Sequence, residues 1–185
     1  MKYCLILILF VAFQAQARDT FVVYLGAGGG LLQADRKDAY GQDVQFKYGE
    51  VMGGVRLKWV GVESRIGRGL MDEAIYEGQD PNTLRAITSK STIDRFDSTY
   101  LRLQLENRVA RIYALYGQTE MSATSVRPDG TSQDLSSKGD SYGIGAGIRL
   151  NKNMFFHVEL RQLLKNDADN FWGVNFNIDI SVLSL

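Results

Sequence analysis

The chain has 185 residues, with 21 basic and 21 acidic side chains and no formal net charge. That length suits one domain, and the balanced charge lacks the basic excess that marks a nucleic-acid binder. The one cysteine, Cys4, stands at the extreme N-terminus, which excludes disulfides, thiol catalysis and cysteine-held metals from the remainder of the chain.

The N-terminus reads as a secretory signal peptide. Lys2 supplies the positive region, Leu5 to Phe13 the short apolar core, and Ala15-Gln16-Ala17 an A-x-A cleavage site. Cleavage after Ala17 is expected, leaving residues 18–185 as a single domain. The apolar run is well short of the ~20 residues that a spanning helix needs, and Cys4 precedes it, the wrong order for lipoprotein attachment. No later apolar stretch is long enough to span as a helix, so any crossing of a membrane must be made by closed strands.

Alternation of apolar and polar residues, the mark of strands with two unlike faces, begins at Thr20–Leu32. Its Gly26–Gly30 run lacks the following helix that a phosphate-binding loop requires, and reads as small residues leaving interior space. Ala34–Lys47 reads as a polar loop. Strands follow at Glu50–Trp59 and Val60–Gly69 across a tight turn near Lys58. Val51, Val55, Leu57 and Trp59 oppose Gly54, Arg56 and Lys58; Val60, Val62 and Ile66 oppose Glu63 and Arg65. Met71–Asp94 reads as the longest irregular segment, with a turn signal at Gln79–Asn82. Ser98–Glu106 sets Leu101, Leu103 and Leu105 against Tyr100, Arg102, Gln104 and Glu106. Val109–Met121 is the fifth strand, with Ile112, Ala114 and Tyr116 assigned outward against the competing set Tyr113 and Leu115. Ser122–Gly139 is a polar loop with a β-turn at Arg127–Gly130.

Tyr142–Leu164 is the most informative stretch. Tyr142, Ile144, Ala146, Ile148 and Leu150 alternate with Gly143, Gly145, Gly147 and Arg149. After the turn Asn151-Lys152-Asn153, Phe156, Val158, Leu160 and Leu164 oppose His157, Glu159 and Arg161. Asn166–Asn170 is a short loop. The last strand, Phe171–Val182, sets Trp172, Val174, Phe176, Ile178, Ile180 and Val182 against Asn175, Asn177 and Asp179. The Tyr142-Gly143-x-Gly145-x-Gly147-x-Arg149 run, the tight turn and the inward acid Glu159 resemble the late strands of small outer-membrane β-barrels of the OmpA/OmpX type. The resemblance implies an all-β, eight-stranded antiparallel up-and-down transmembrane barrel, exported through the Sec pathway to the bacterial outer membrane. Its partners would be outer-membrane lipid and lipopolysaccharide, with the barrel assembly machinery and periplasmic chaperones during biogenesis.

The residues themselves point the same way. Eight strands are joined alternately by short turns and longer loops, and an aromatic stands at several strand ends (Trp59, Tyr142, Trp172), as in membrane barrels. A soluble barrel of the lipocalin kind alternates as well, with the apolar face inside. Against it, the polar face here is glycine with paired charges, and the alternation persists over the 9–11 residues that cross a bilayer. The family usually ends in an outward aromatic. This chain ends Val182-Leu183-Ser184-Leu185, with Leu183 and Leu185 out of phase, which implies either a bulge or overhang, or an atypical assembly signal.

The candidate site is the polar face. Arg56, Lys58, Glu63, Arg65, Arg102, Glu106, Arg149, His157, Glu159, Arg161 and Asp179 all fall inward. A lumen this narrow admits only side chains, and isolated charges there are heavily penalised. The residues are therefore expected to pair into a structural network that plugs the lumen; the alternative is an ion pathway. His157, the only histidine, is followed two residues on by Glu159, which fails the His-x-Ser arrangement of outer-membrane lipid A deacylases, and reads as a hydrogen-bonded lumen residue. No carboxylate–histidine cluster has metal spacing, and neither a cofactor nor catalysis is expected. Recognition would fall to the loops, with a small porin-like channel and a lipid-modifying enzyme as the alternative functions.

Overall fold

The computed structural model of the protein describes residues 21–37, 43–79, 86–127, 129–166 and 170–185. The leader expected over residues 1–17 lies outside them, as does the Gln79–Asn82 turn signal beyond Gln79. Period-two alternation is realised as antiparallel strands: β1 Phe21–Lys37, β2 Asp43–Leu57, β3 Val60–Gly69, β4 Glu73–Gln79, β5 Ala86–Glu106, β6 Ala110–Val126, β7 Ser132–Arg149, β8 Met154–Lys165 and β9 Asn170–Ser184. β3 pairs with Phe96–Leu103 of β5, and β4 pairs with Ala86–Ser91 of the same strand. Together β3 and β4 occupy one position in the wall, interrupted at Leu70–Asp72. The remaining order is β3-β2-β1-β9-β8-β7-β6-β5, and the β3–β5 ladder closes it into an eight-stranded antiparallel barrel.

Three short turns share one end with the outset of β1 and the close of β9. Lys58-Trp59 joins β2 to β3, with Lys58 in the left-handed region at φ 55. Asn107 opens the β5–β6 turn, its Oδ1 accepting from the amides of Val109 and Ala110 at 2.8 Å each. Asn151 does the same for Asn153 at 3.0 Å in the β7–β8 turn. Asparagine at these positions mimics a backbone turn and stops the strand.

At the opposite end the strands outrun the sequence expectation. The sequence predicts loops over Ala34–Lys47, Met71–Asp94 and Ser122–Gly139, yet most of their described residues are paired strand. Gln33 faces Gln45, Glu73–Tyr76 face Thr88–Ser91, and the β6–β7 ladder continues to Val126 opposite Ser132. The physical reason is that these hairpins rise past the apolar belt. Outward positions then become polar (Gln45 and Lys47 in β2, Glu120 in β6, Lys138 in β7), and serine and threonine fill much of β5 and the β6–β7 hairpin, so little apolar contrast marks a strand while the backbone ladder persists. The expected turn at Arg127–Gly130 is present at the tip, where the Gly130 amide donates to the Arg127 carbonyl at 3.0 Å and glycine takes φ 82.

The barrel is apolar outside. Leu25, Val51, Val55, Val62, Leu103, Ile112, Ile144, Leu160, Phe176 and Ile178 are exposed, while the alternate positions are buried. Tyr116 faces Tyr142, Tyr142 faces Gln162 and Gln162 faces Trp172, so three exposed aromatics line one row of the wall near the hairpin end. Trp59 sits at the turn end. Two such levels bounding an aliphatic band are what membrane barrels place at the two interfaces.

Three expectations do not hold, and one open alternative is decided. Lys58 is exposed in its turn rather than inward. Val109 lies in a turn, and β6 begins at Ala110. Leu164 is buried, because an irregularity between Gln162 and Leu164 shifts the register and turns Leu163 and Leu164 both inward. At the C-terminus, Val23 faces Leu183 whereas Tyr24 faces Ser181. The extra residue is a bulge that leaves Val182 and Leu183 both exposed. Leu185 still pairs with Phe21, at 2.9 and 3.1 Å, so the end is bulged rather than overhanging.

Candidate functional site

Inside the barrel the side chains form stacked layers, each dictated by the inward phase of its strand. Nearest the hairpin end is an apolar layer built from Leu32, Phe46, Tyr48, Ile93, Phe96, Met121, Leu163, Leu164 and Phe171. The Tyr48 and Phe96 rings meet edge-on, with centroids 5.4 Å apart. Of this layer, Phe46 and Ile93 come from stretches expected as loops and Leu163 and Leu164 from the bulged part of β8, whereas Leu32, Met121 and Phe171 stand at the ends of expected strands.

Below it lies the densest ionic cluster. Arg65 is bound by three carboxylates, Glu63 at 2.6 Å, Glu159 at 2.7 Å and Glu50 at 2.9 Å. Arg161 reaches Glu50 at 2.6 Å and Glu159 at 3.5 Å. Arg102 pairs with Glu63, and its guanidinium lies over the Tyr113 ring at 3.9 Å and the Tyr24 ring at 5.2 Å. The remaining carboxylate lone pairs are taken by neutral donors: Tyr24 donates to Glu63 at 2.7 Å, and Tyr113 and Asn175 each donate to Glu159 at 2.9 Å. Two glycines make this possible. A Cβ at Gly54 would stand 2.5 Å from the Tyr24 hydroxyl, and one at Gly145 would collide with the Tyr113 ring.

Nearest the turn end, Glu106 is shared by Arg149 at 2.6 Å, Arg111 at 3.0 Å and Arg56 at 3.3 Å. Asp179 takes Arg111 at 2.6 Å and the Nε2 of His157 at 2.8 Å. His157 is stacked on Phe155, and its hydrogen-bond partners among the described residues are Asp179 and Arg111, neither of them a hydroxyl nucleophile. Arg111 and Arg149 both lie over the Phe155 ring, at 3.7 and 4.5 Å. Arg149 and Glu106 keep partial exposure; the other charges of the lumen are buried.

Of the expected inward residues, Arg56, Glu63, Arg65, Arg102, Glu106, Arg149, His157, Glu159, Arg161 and Asp179 thus fall in two ion-paired clusters, and only Lys58 stands apart. Glu50 and Arg111, both central, were missed. Their signal was present: Glu50 has the parity of Gly54 and Arg56, and Arg111 that of Tyr113, opposite the outward Ile112. No group of His, Cys, Asp and Glu able to hold a metal occurs among the described residues.

A barrel apolar outside and charged inside is the inverse of a soluble one, and one comparison settles which family it represents. The family model described as "Outer membrane protein beta-barrel domain" matches residues 4–182. The chain belongs to this family. No curated protein matches it in sequence, but solved barrels match it in fold. The attachment invasion locus protein Ail of Yersinia pestis, solved with the heparin analogue sucrose octasulfate, has a TM-score of 0.61 at 12% identity, covering 87% of this chain and 98% of its own. Neisserial surface protein A has 0.59 at 10% identity over 85% of this chain and 96% of its own. The N-terminal barrel of Pseudomonas aeruginosa OprF has 0.57 at 13% identity over 88% and 98%. The protein is an outer-membrane β-barrel, its short turns periplasmic and its long hairpins extracellular.

Above the extracellular aromatic row the outer wall is charged: Asp97 faces Glu120, Glu120 faces Lys138, and Asp140 faces Lys165. At the β6–β7 tip Asp129 accepts from the Thr131 hydroxyl at 2.6 Å and its amide at 2.9 Å, which holds the Asp129 carboxyl below the usual aspartate range.

Proposed function

We propose that the protein is a non-enzymatic, non-conducting barrel that anchors extracellular hairpins for a structural or surface-interaction role in the envelope. The observation that carries this reading is the layered lumen, an apolar stopper above two ion-paired clusters in which most charges are dry. A conducting pore needs a continuous wet path, and an eight-stranded barrel has little room for one beside filled side chains. Chemistry by His157 would need a nucleophile within hydrogen-bond reach, and its ring is committed to Asp179 and Phe155. In this role the lumen charges Arg56, Glu63, Arg65, Arg102, Glu106, Arg149, His157, Glu159, Arg161 and Asp179 are structural. Residues 1–17 are a cleaved signal peptide and 18–185 one domain, delivered by periplasmic chaperones to the barrel assembly machinery.

Recognition then resides on the hairpins, the part of a rigid scaffold that meets the outside. Ail's heparin analogue is a polyanion, whereas the β6–β7 hairpin here carries Glu120, Asp129, Asp134 and Asp140 against Arg127 and Lys138. That balance favours a cationic partner, or lipopolysaccharide bridged through divalent cations, over a free polyanion. Planar-bilayer recording of the purified barrel should show no stepwise conductance. A steady open level would transfer the reading to a channel, and turnover of lipid A by the same preparation would transfer it to an enzyme.

A further inference from the structure

The lipid-facing wall is not uniformly convex. Across β5, β6, β7 and β8 it carries a groove of about 780 Å³, walled by Trp59, Leu103, Ile112 and Leu160 and floored by Ala114 and Ala146. The floor follows from the register. Ala114 lies between Leu103 and Ile144, and Ala146 between Ile112 and Val158, so two adjacent rows each have a methyl where the neighbours carry branched chains. The groove begins at Trp59, in a periplasmic turn, and extends up into the bilayer span.

The foot of the groove is basic. Lys58 adjoins Trp59; Arg108 lies between the groove residues Leu105 and Ile112, in the turn joining β5 to β6; Lys152 lies in the turn joining β7 to β8. Residues 58–59, 107–109 and 150–153 include no carboxylate, and the three cations form no ion pair among the described residues. Lys58 and Arg108 each adjoin a large exposed apolar residue, Trp59 and Val109, and Lys152 lies two residues from the exposed Leu150. Such pairs suit an interface, where an apolar side chain enters the acyl region while a neighbouring cation reaches the phosphates.

We propose that this groove seats an acyl chain of an anionic glycerophospholipid of the periplasmic leaflet, its phosphate held by Arg108 with Lys58 and Lys152 flanking. Charge complementarity selects this occupant over a second copy of the chain, whose own turns would bring the same cations to the contact. The inference rests on the membrane placement of the barrel and is independent of whether the lumen conducts.

Native mass spectrometry of the full barrel, released from nanodiscs of mixed phosphatidylethanolamine and phosphatidylglycerol, tests it. The protein should retain phosphatidylglycerol over phosphatidylethanolamine by on the order of tenfold, given what an interfacial basic residue contributes. Removing the three charges together (K58Q, R108Q, K152Q) should abolish the preference. Ala114→Phe, which fills the groove with an outward apolar group, should lower retention of phosphatidylglycerol, while Leu25→Phe, exposed on β1 across the barrel, should not. Heat-modifiability on a denaturing gel confirms that each variant is folded. Equal retention of the two lipids, retention unchanged by Ala114→Phe, or a lipid-free dimer that Ala114→Phe dissociates would each overturn the proposal.

Discussion

Glu159→Ala is the sharpest perturbation of the lumen. The carboxylate accepts from Arg65 at 2.7 and 2.9 Å, from Tyr113 and Asn175 at 2.9 Å each, and lies 3.5 Å from Arg161. Breaking a buried ion pair from one side costs about 3–5 kcal/mol. Two features of the site adjust that figure in opposite directions. Arg65 keeps Glu50 and Glu63, and Arg161 keeps Glu50, so neither guanidinium is left alone. The Tyr113 hydroxyl and the Asn175 amide both lose their acceptor, and an unsatisfied buried donor costs about 1–3 kcal/mol. We expect a net loss of about 4 kcal/mol. Glu159→Gln should recover no more than about 1 kcal/mol of this, because donors face both carboxylate oxygens and the new NH₂ meets one of them in either orientation. Asn177→Ala is the internal control: Asn177 is equally buried, yet its side-chain atoms have no hydrogen-bond partner among the described residues, and its removal should cost under about 1 kcal/mol. Urea titration of the reconstituted barrel, followed by tryptophan fluorescence, reads all three. Unchanged unfolding for Glu159→Ala, or an equal loss for Asn177→Ala, would refute the reasoning.

Leu103→Arg, facing lipid in the span, should cost about 2–4 kcal/mol, whereas Gln104→Arg should be milder because the new guanidinium can reach Glu106, the present partner of Gln104; comparable losses in the same urea titration would invalidate the assigned phase. Phe96→Ala empties the centre of the apolar layer and should cost about 3–5 kcal/mol, yet bilayer recordings should stay silent because the ionic clusters beneath remain in place. Asp129 has a folded-state pKa below its unfolded value, so the turn stabilisation it provides is present above the ordinary aspartate range, near pH 3.9, and lost as pH falls through the depressed value. An NMR titration should show the Thr131 amide shifting only below about pH 4, and Asp129→Asn should remove that shift.

Much of this architecture was open to reading from residues alone, for a physical reason. A strand has a side-chain period of two, so once one face meets lipid every second residue is assigned to the lumen without knowledge of the partners. Leu103 against Arg102, or Ile178 against Asp179, could be placed in this way. The extracellular hairpins could not, since above the bilayer the outward face is polar too, and the few apolar residues left on the inward face give too little contrast to mark a strand. The same blindness hid the apolar layer, whose Phe46 and Ile93 come from those stretches, and the Leu163–Leu164 irregularity, where register changes by one residue and flips the face. Parity also says nothing of height or azimuth. That Arg65 collects Glu50, Glu63 and Glu159 from three strands, while Glu106 is shared by Arg56, Arg111 and Arg149, was decided only when barrel closure and strand stagger brought residues far apart in sequence to one level. Local alternation determined which way each side chain points; the closed sheet decided which ones meet.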